Sequence, residues 1–156
     1  MRAKLVIVLA VGFLEAGARG QDQAAKEREK LQGIWRVAKL DITDDSWRNF
    51  FEGSHWVIKG DKLAWMFGEK DQKQRLLGAS LKVNPTREPK TIDLTVDFLH
   101  PAFEDRGKVL GKTILAVYVL DGDTLTLFTE NSDRERPKRF PAKQGKGVMT
   151  LKRRKP

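Results

Sequence analysis

From residue 33 onward, apolar and polar residues alternate in short runs separated by turn-forming residues. A period of two is that of a β-strand with one face turned to a core. In HWVIKGDKLAWMF, Gly60-Asp61 is a two-residue turn signal. That turn sets Trp56 opposite Trp65 and Ile58 opposite Leu63, all on one face, with His55, Lys59 and Lys62 on the other. In KTILAVYVLDGDTLTLF, Asp121-Gly122 is the turn signal. It would set Tyr118 opposite Leu125 and Ala116 opposite Leu127. Leu115, Val117 and Val119 occupy the other face, so this pair is expected to be covered on both sides. Leu77, Ala79, Leu81 and Val83 alternate in a third region, and Ile92, Leu94 and Val96 in a fourth. VMTLK (148–152) makes a last strand, and Arg139-Phe140 a short one before it. The breaker spacing predicts an all-β chain of about eight antiparallel strands. Joined by short turns, they predict an up-and-down barrel, which removes exposed edges by closure.

Two stretches do not follow this pattern. DDSWRNFFEG (44–53) offers Asp45 or Ser46 as a helix cap and Gly53 as a stop. Trp47, Phe50 and Phe51 fall on one helical face, so a short helix is expected between strands 1 and 2, pressing its rings onto the barrel mouth. At the N-terminus, Arg2 and Lys4 precede ten apolar residues, Leu5 to Leu14, and then Glu15 and the small residues Ala16, Gly17, Ala18 and Gly20. Ten residues make about 15 Å of helix, roughly half a bilayer core. Residues 1–20 therefore read as a secretory signal peptide. Residues 21–30 (QDQAAKEREK) read as a polar tether or short helix, and 31–156 as the barrel domain. The expected location is exported, periplasmic or extracellular, with no transmembrane span after signal cleavage.

Composition narrows the chemistry. The 156 residues contain no cysteine, which excludes disulfides, thiolate catalysis and Cys-ligated metals. The formal net charge of +9 is unevenly placed. Residues 131–156 hold ten basic and two acidic side chains, whereas residues 21–130 hold 17 and 18. The basic C-terminus would suit an anionic envelope component or serve as a solvated face. No basic–aromatic interleaving of a nucleic-acid module occurs, so nucleic acid is not an expected partner.

Gly33 and Trp35 open the first strand. A Gly there permits close backbone approach or a bulge, and an inward Trp would floor a closed end. Gly-x-Trp in this position resembles the entry motif of lipocalin-type barrels. The resemblance implies a cation near the end of the last strand packed over that Trp, with Lys152, Arg153 and Arg154 as candidates. LQGIWRV (31–37), VIKGDKL (57–63), the stretch from Asn84 through PKTIDLT (89–95), YVLDGDTLTL (118–127), ERPKRF (135–140) and VMTLKR (148–153) together resemble a family of small secreted domains abundant in planctomycete bacteria. This resemblance implies an exported lipocalin-like β domain and supplies no catalytic residues. The chain departs from the pattern at WRNFF and in the longer loop near His100.

No nucleophile, acid–base or phosphate-loop constellation emerges. Ser54 and His55 are adjacent and would face opposite sides of a strand. His100, Glu104 and Asp105 are close in sequence but fit no usual metal spacing. The expectation is a non-catalytic binding module without a cofactor, holding a small apolar or amphipathic ligand. Trp35, Trp56, Trp65 and Tyr118 would line the interior, Trp47, Phe50 and Phe51 would form a plug or a lid over it, and basic residues near the mouth would meet an anionic head. The alternative is a packed structural or interaction domain that binds an envelope component or partner protein through Lys152, Arg153 and Arg154.

Overall fold

The structure is a computed structural model, and it describes residues 14–41, 51–68, 73–103, 106–130, 135–141 and 147–155. Helix α1 (Leu14–Leu31) leads into strands β1 (Gly33–Leu40), β2 (His55–Lys59), β3 (Lys62–Phe67), β4 (Gln74–Asn84) and β5 (Thr91–Leu99). A single helical turn, α2 (Arg106–Val109), follows, and then β6 (Thr113–Asp121), β7 (Thr124–Phe128) and β8 (Val148–Arg153). Each strand pairs antiparallel with its sequence neighbours, and β8 closes on β1. The result is a closed eight-stranded up-and-down barrel, as the alternation requires. Irregularities at Val37/Lys39, Trp65/Met66 and Gly78/Ala79 help its strands curve.

The first hairpin has the expected register, Trp56 with Trp65 and Ile58 with Leu63. The second does not. Tyr118 pairs with Leu127 and Leu120 with Leu125, so the loop is Gly122-Asp123 and not Asp121-Gly122. The two hairpins thus share one solution. Gly60 (φ +62°) and Gly122 (φ +53°) each take the first loop position, where a left-handed backbone favours glycine, and an Asp follows. Asp121 stays in the strand, paired with Thr124. The slip is two residues along the pairing, so every side chain keeps its face.

One cluster fills the interior, with Leu31, Trp35, Val37, Ile58, Leu63, Ala79, Ile92, Tyr118, Leu125 and Leu151 among its buried members. His55 lies on the outward side of β2 yet is also buried, at 9 % exposure. The outer face of β6 is only partly covered: Val117 is buried, whereas Val119 is 48 % exposed. The cover comes from residues 135–141, a strap and not the expected short strand. Phe140 packs on Phe128, Val117 and Val148. Arg136 reaches the Asp93 carboxylate at 2.6 Å and donates to the Ala116 carbonyl at 3.1 Å. Among the described residues, no helix is long and apolar enough to cross a membrane.

Strand direction sorts the connections between two ends. One end carries α1, the turns Gly60-Asp61 and Gly122-Asp123, and the loop 85–90. The other carries the described residues of the remaining connections, 41, 51–54, 68, 73, 100–103, 106–112, 129–130 and 147, while the strap 135–141 lies along the outer wall. These are called the helix end and the loop end below.

Candidate functional site

The helix end is built as a seal. On α1, Ala24, Glu27 and Leu31 follow at i, i+3 and i+7, which places them on one face. Leu31 is fully buried and Ala24 packs on the same cluster. A helix terminus leaves its last carbonyls without helical partners, and here the barrel supplies donors. Gln32 Nε2 donates to the Arg28 carbonyl at 2.8 Å. Arg153 donates to those of Lys30 and Gln32 at 2.5 and 2.6 Å. The Trp35 indole donates to that of Leu31 at 2.8 Å. The Gln32 side chain also accepts from the Gly60 amide at 2.6 Å and so ties the helix to the first hairpin turn.

The Arg153 guanidinium lies 4.1 Å from the Trp35 ring centroid, worth about 0.5–2 kcal/mol. Of the three candidate cations it is therefore Arg153 that covers Trp35. Gly33 makes room for it: its φ is +115°, and a Cβ there would stand 3.3 Å from an Arg153 nitrogen. Arg153 also pairs with Asp123 at 3.2 Å. Lys152 donates to Thr124 Oγ1 at 2.6 Å on the exposed surface, and the exposed Arg154 pairs through its backbone amide with Ile34. All three lie at the helix end.

Glu27 is the member of this end that the sequence reading missed. It is 4 % exposed. Lys90, from the β4–β5 loop, donates to its Oε1 at 2.7 Å, Lys30 to Oε2 at 3.3 Å, and the Tyr118 hydroxyl to Oε1 at 3.3 Å. Burial pushes the Glu27 carboxyl up, but the two lysines outweigh it and hold it below the usual glutamate range. Burial, and then the Glu27 charge, push the Tyr118 phenol well above its ordinary value. Tyr118, expected on a ligand wall, is thus committed to the seal. The available signal was an acidic residue centred on the α1 face between Ala24 and Leu31.

The loop end is different. Trp65, Leu77, Ile114 and Met149 point inward and pack on the core cluster, yet each is only partly buried. Phe51 joins them, its ring 4.6 Å from that of Trp65. Trp65 meets Trp56 edge-on at 5.8 Å. The Trp65 indole donates to Ser54 Oγ at 2.6 Å, and that hydroxyl donates to the Phe51 carbonyl at 2.5 Å. Ser54 is therefore engaged in holding the aromatic group. Trp47 and Phe50, with most of the expected short helix, lie outside the described residues. The structure thus sets Trp35, Trp56 and Trp65 in one cross-strand row with Phe51 against Trp65, while the Trp35 indole N–H and the Tyr118 hydroxyl are engaged by the seal.

The outer wall has a separate open groove of about 600 Å³ lined by Val57, Lys59, Lys62, Arg75, Asp97 and Phe98. Arg75 and Lys62 already meet Asp97 there, at 3.3 and 3.4 Å. His100 Nδ1 accepts from the Ala102 amide at 3.2 Å, while Glu104 and Asp105 lie outside the described residues. Among the described residues no group of three His, Asp or Glu side chains is placed to hold a metal. No family model, curated protein or solved structure matches the chain.

Proposed function

We propose that this protein is an exported, non-catalytic binding module of lipocalin-like type that admits a small apolar or amphipathic molecule through the loop end of its barrel. The observation that carries the reading is the gradient of burial along the inner wall. At the helix end the inward side chains are buried, Leu120 excepted, which is partly so. At the loop end four of them, Trp65, Leu77, Ile114 and Met149, keep part of their surface accessible, beside the buried Leu40, Trp56 and Leu127. Inward apolar surface that stays accessible chiefly at one end is what a barrel with a single mouth presents. The Gly33–Trp35–Arg153 arrangement supports the lipocalin-like assignment, since that is where the resemblance places its cation. Export rests on the signal-like residues 1–20. The α1 residues named in the seal, Ala24, Glu27, Arg28, Lys30 and Leu31, all follow Gly20, so the seal would survive cleavage there.

Native mass spectrometry of the protein purified from its own cells tests the reading. A small molecule that co-purifies and is released on unfolding is expected. A ligand-free protein that also takes up no apolar fluorescent probe would overturn it.

A further inference from the structure

Three indole N–H groups can be traced, and only two have acceptors. That of Trp35 meets the Leu31 carbonyl and that of Trp65 meets Ser54. The third, Trp56 Nε1, is buried with no hydrogen-bond partner. Trp56 is 3 % exposed and belongs to the inner cluster beside Trp65. It is the second residue of β2 counted from the loop end. A buried indole ordinarily finds an acceptor, because leaving the donor dry costs free energy that nothing else returns.

The surroundings limit what that acceptor could be. Among the described residues, Trp56 lies between its cross-strand partners Trp35 and Trp65, and the inward side chains toward this end include Leu40, Leu77, Ile114, Leu127 and Met149. Among the described residues the buried polar or charged side chains are Glu27, Ser54, His55 and Thr91. Glu27 is held at the far end by its lysines, Ser54 is already engaged by Trp65 and Phe51, and His55 faces outward. Among the described residues, therefore, no cation faces the interior here to offset a buried carboxylate or phosphate.

We propose that the Trp56 N–H is the polar anchor of the interior site, and that the molecule held there is neutral, mainly apolar, and carries one hydrogen-bond acceptor of the ketone or ester class. This deepens the binding reading above and rests on it. It also replaces an anionic head with a neutral oxygen. The anchor would orient the ligand, and the Phe51–Trp65 pair would supply contact area from the loop side.

Matched probes that differ only in the acceptor test it: 1-tetralone against tetralin, and 9-fluorenone against fluorene, titrated into the full chain by calorimetry. The ketones are expected to bind about tenfold tighter than the hydrocarbons. In Trp56→Phe that preference should disappear while hydrocarbon affinity is kept. Equal affinity within each pair would overturn the anchor and leave the binding reading standing. No binding of any probe would overturn both. A second readout covers a poorly folded variant. In wild-type protein labelled with ¹⁵N at the indoles, one indole resonance should move downfield with ketone and stay with hydrocarbon. If none moves, or if that N–H already shows a slowly exchanging bound water that the ketone does not displace, the proposal fails.

Discussion

The two ends of this barrel are made from the same strands and solve opposite problems. At the helix end the strand connections are short, two of them Gly-Asp turns, and a helix terminus is fastened across the opening. Its C-terminal carbonyls are met by Trp35, Gln32 and Arg153, and its buried Glu27 by two lysines and a tyrosine. At the loop end the connections are longer, and four inward side chains, Trp65, Leu77, Ile114 and Met149, remain partly accessible. The lesson is that closure of a β-barrel is a property of each end. The strands remove the edges, but polar groups of a docked element decide whether an end is shut.

The sharpest way to break this comparison is to open the shut end. Trp35→Ala removes a fully buried indole, its bond to Leu31 and its stacking on Arg153 at once. A loss of about 3–5 kcal/mol is expected in chemical denaturation. A loss below about 1 kcal/mol would mean that the seal contributes little.

Glu27→Gln should cost less, about 1–3 kcal/mol near neutral pH, because the charge-assisted bonds weaken while the shape is kept. The pH dependence has a definite sign. Glu27 is held below its unfolded value of about 4.5, so its contribution is complete above that value and is lost as pH falls through the lower folded one. Wild type and variant should therefore converge in stability as the pH drops below about 4.5. A gap that is constant with pH would remove Glu27 from the account.

The smallest effect comes from a matched pair of deletions. Ile92 is the second residue of β5 from the helix end, and Ile114 the second of β6 from the loop end. Ile92 is fully buried and Ile114 only partly so. Ile92→Val should cost about 1–1.5 kcal/mol and Ile114→Val about 0.5 or less. Equal losses would contradict the gradient of burial.

Much of the fold was legible because period-two alternation acts locally. The facing of Trp56, Ile58, Leu63 and Trp65, and the closed order of eight strands, follow from it. The second turn was misplaced because Asp121-Gly122-Asp123 contains two overlapping dipeptide signals, and only the backbone decides which pair forms the loop. The faces survived because the error was an even number of residues. The seal was largely illegible. Glu27 joins Lys90 and Tyr118 across 63 and 91 residues of sequence, a distance no local pattern spans. Arg153 could be narrowed to one of three neighbouring cations, but only register places it over Trp35. The free Trp56 N–H was also out of reach, since sequence identifies a buried indole and not the acceptors around it.

The central claim is that the interior opens at the loop end alone. Methyl NMR with a small, freely diffusing apolar nitroxide measures this directly. The methyl groups of Leu77, Ile114 and Met149 should be strongly relaxed, while those of Leu31, Ile92 and Leu151 stay sharp. Equal broadening at both ends, or none at either, would contradict it.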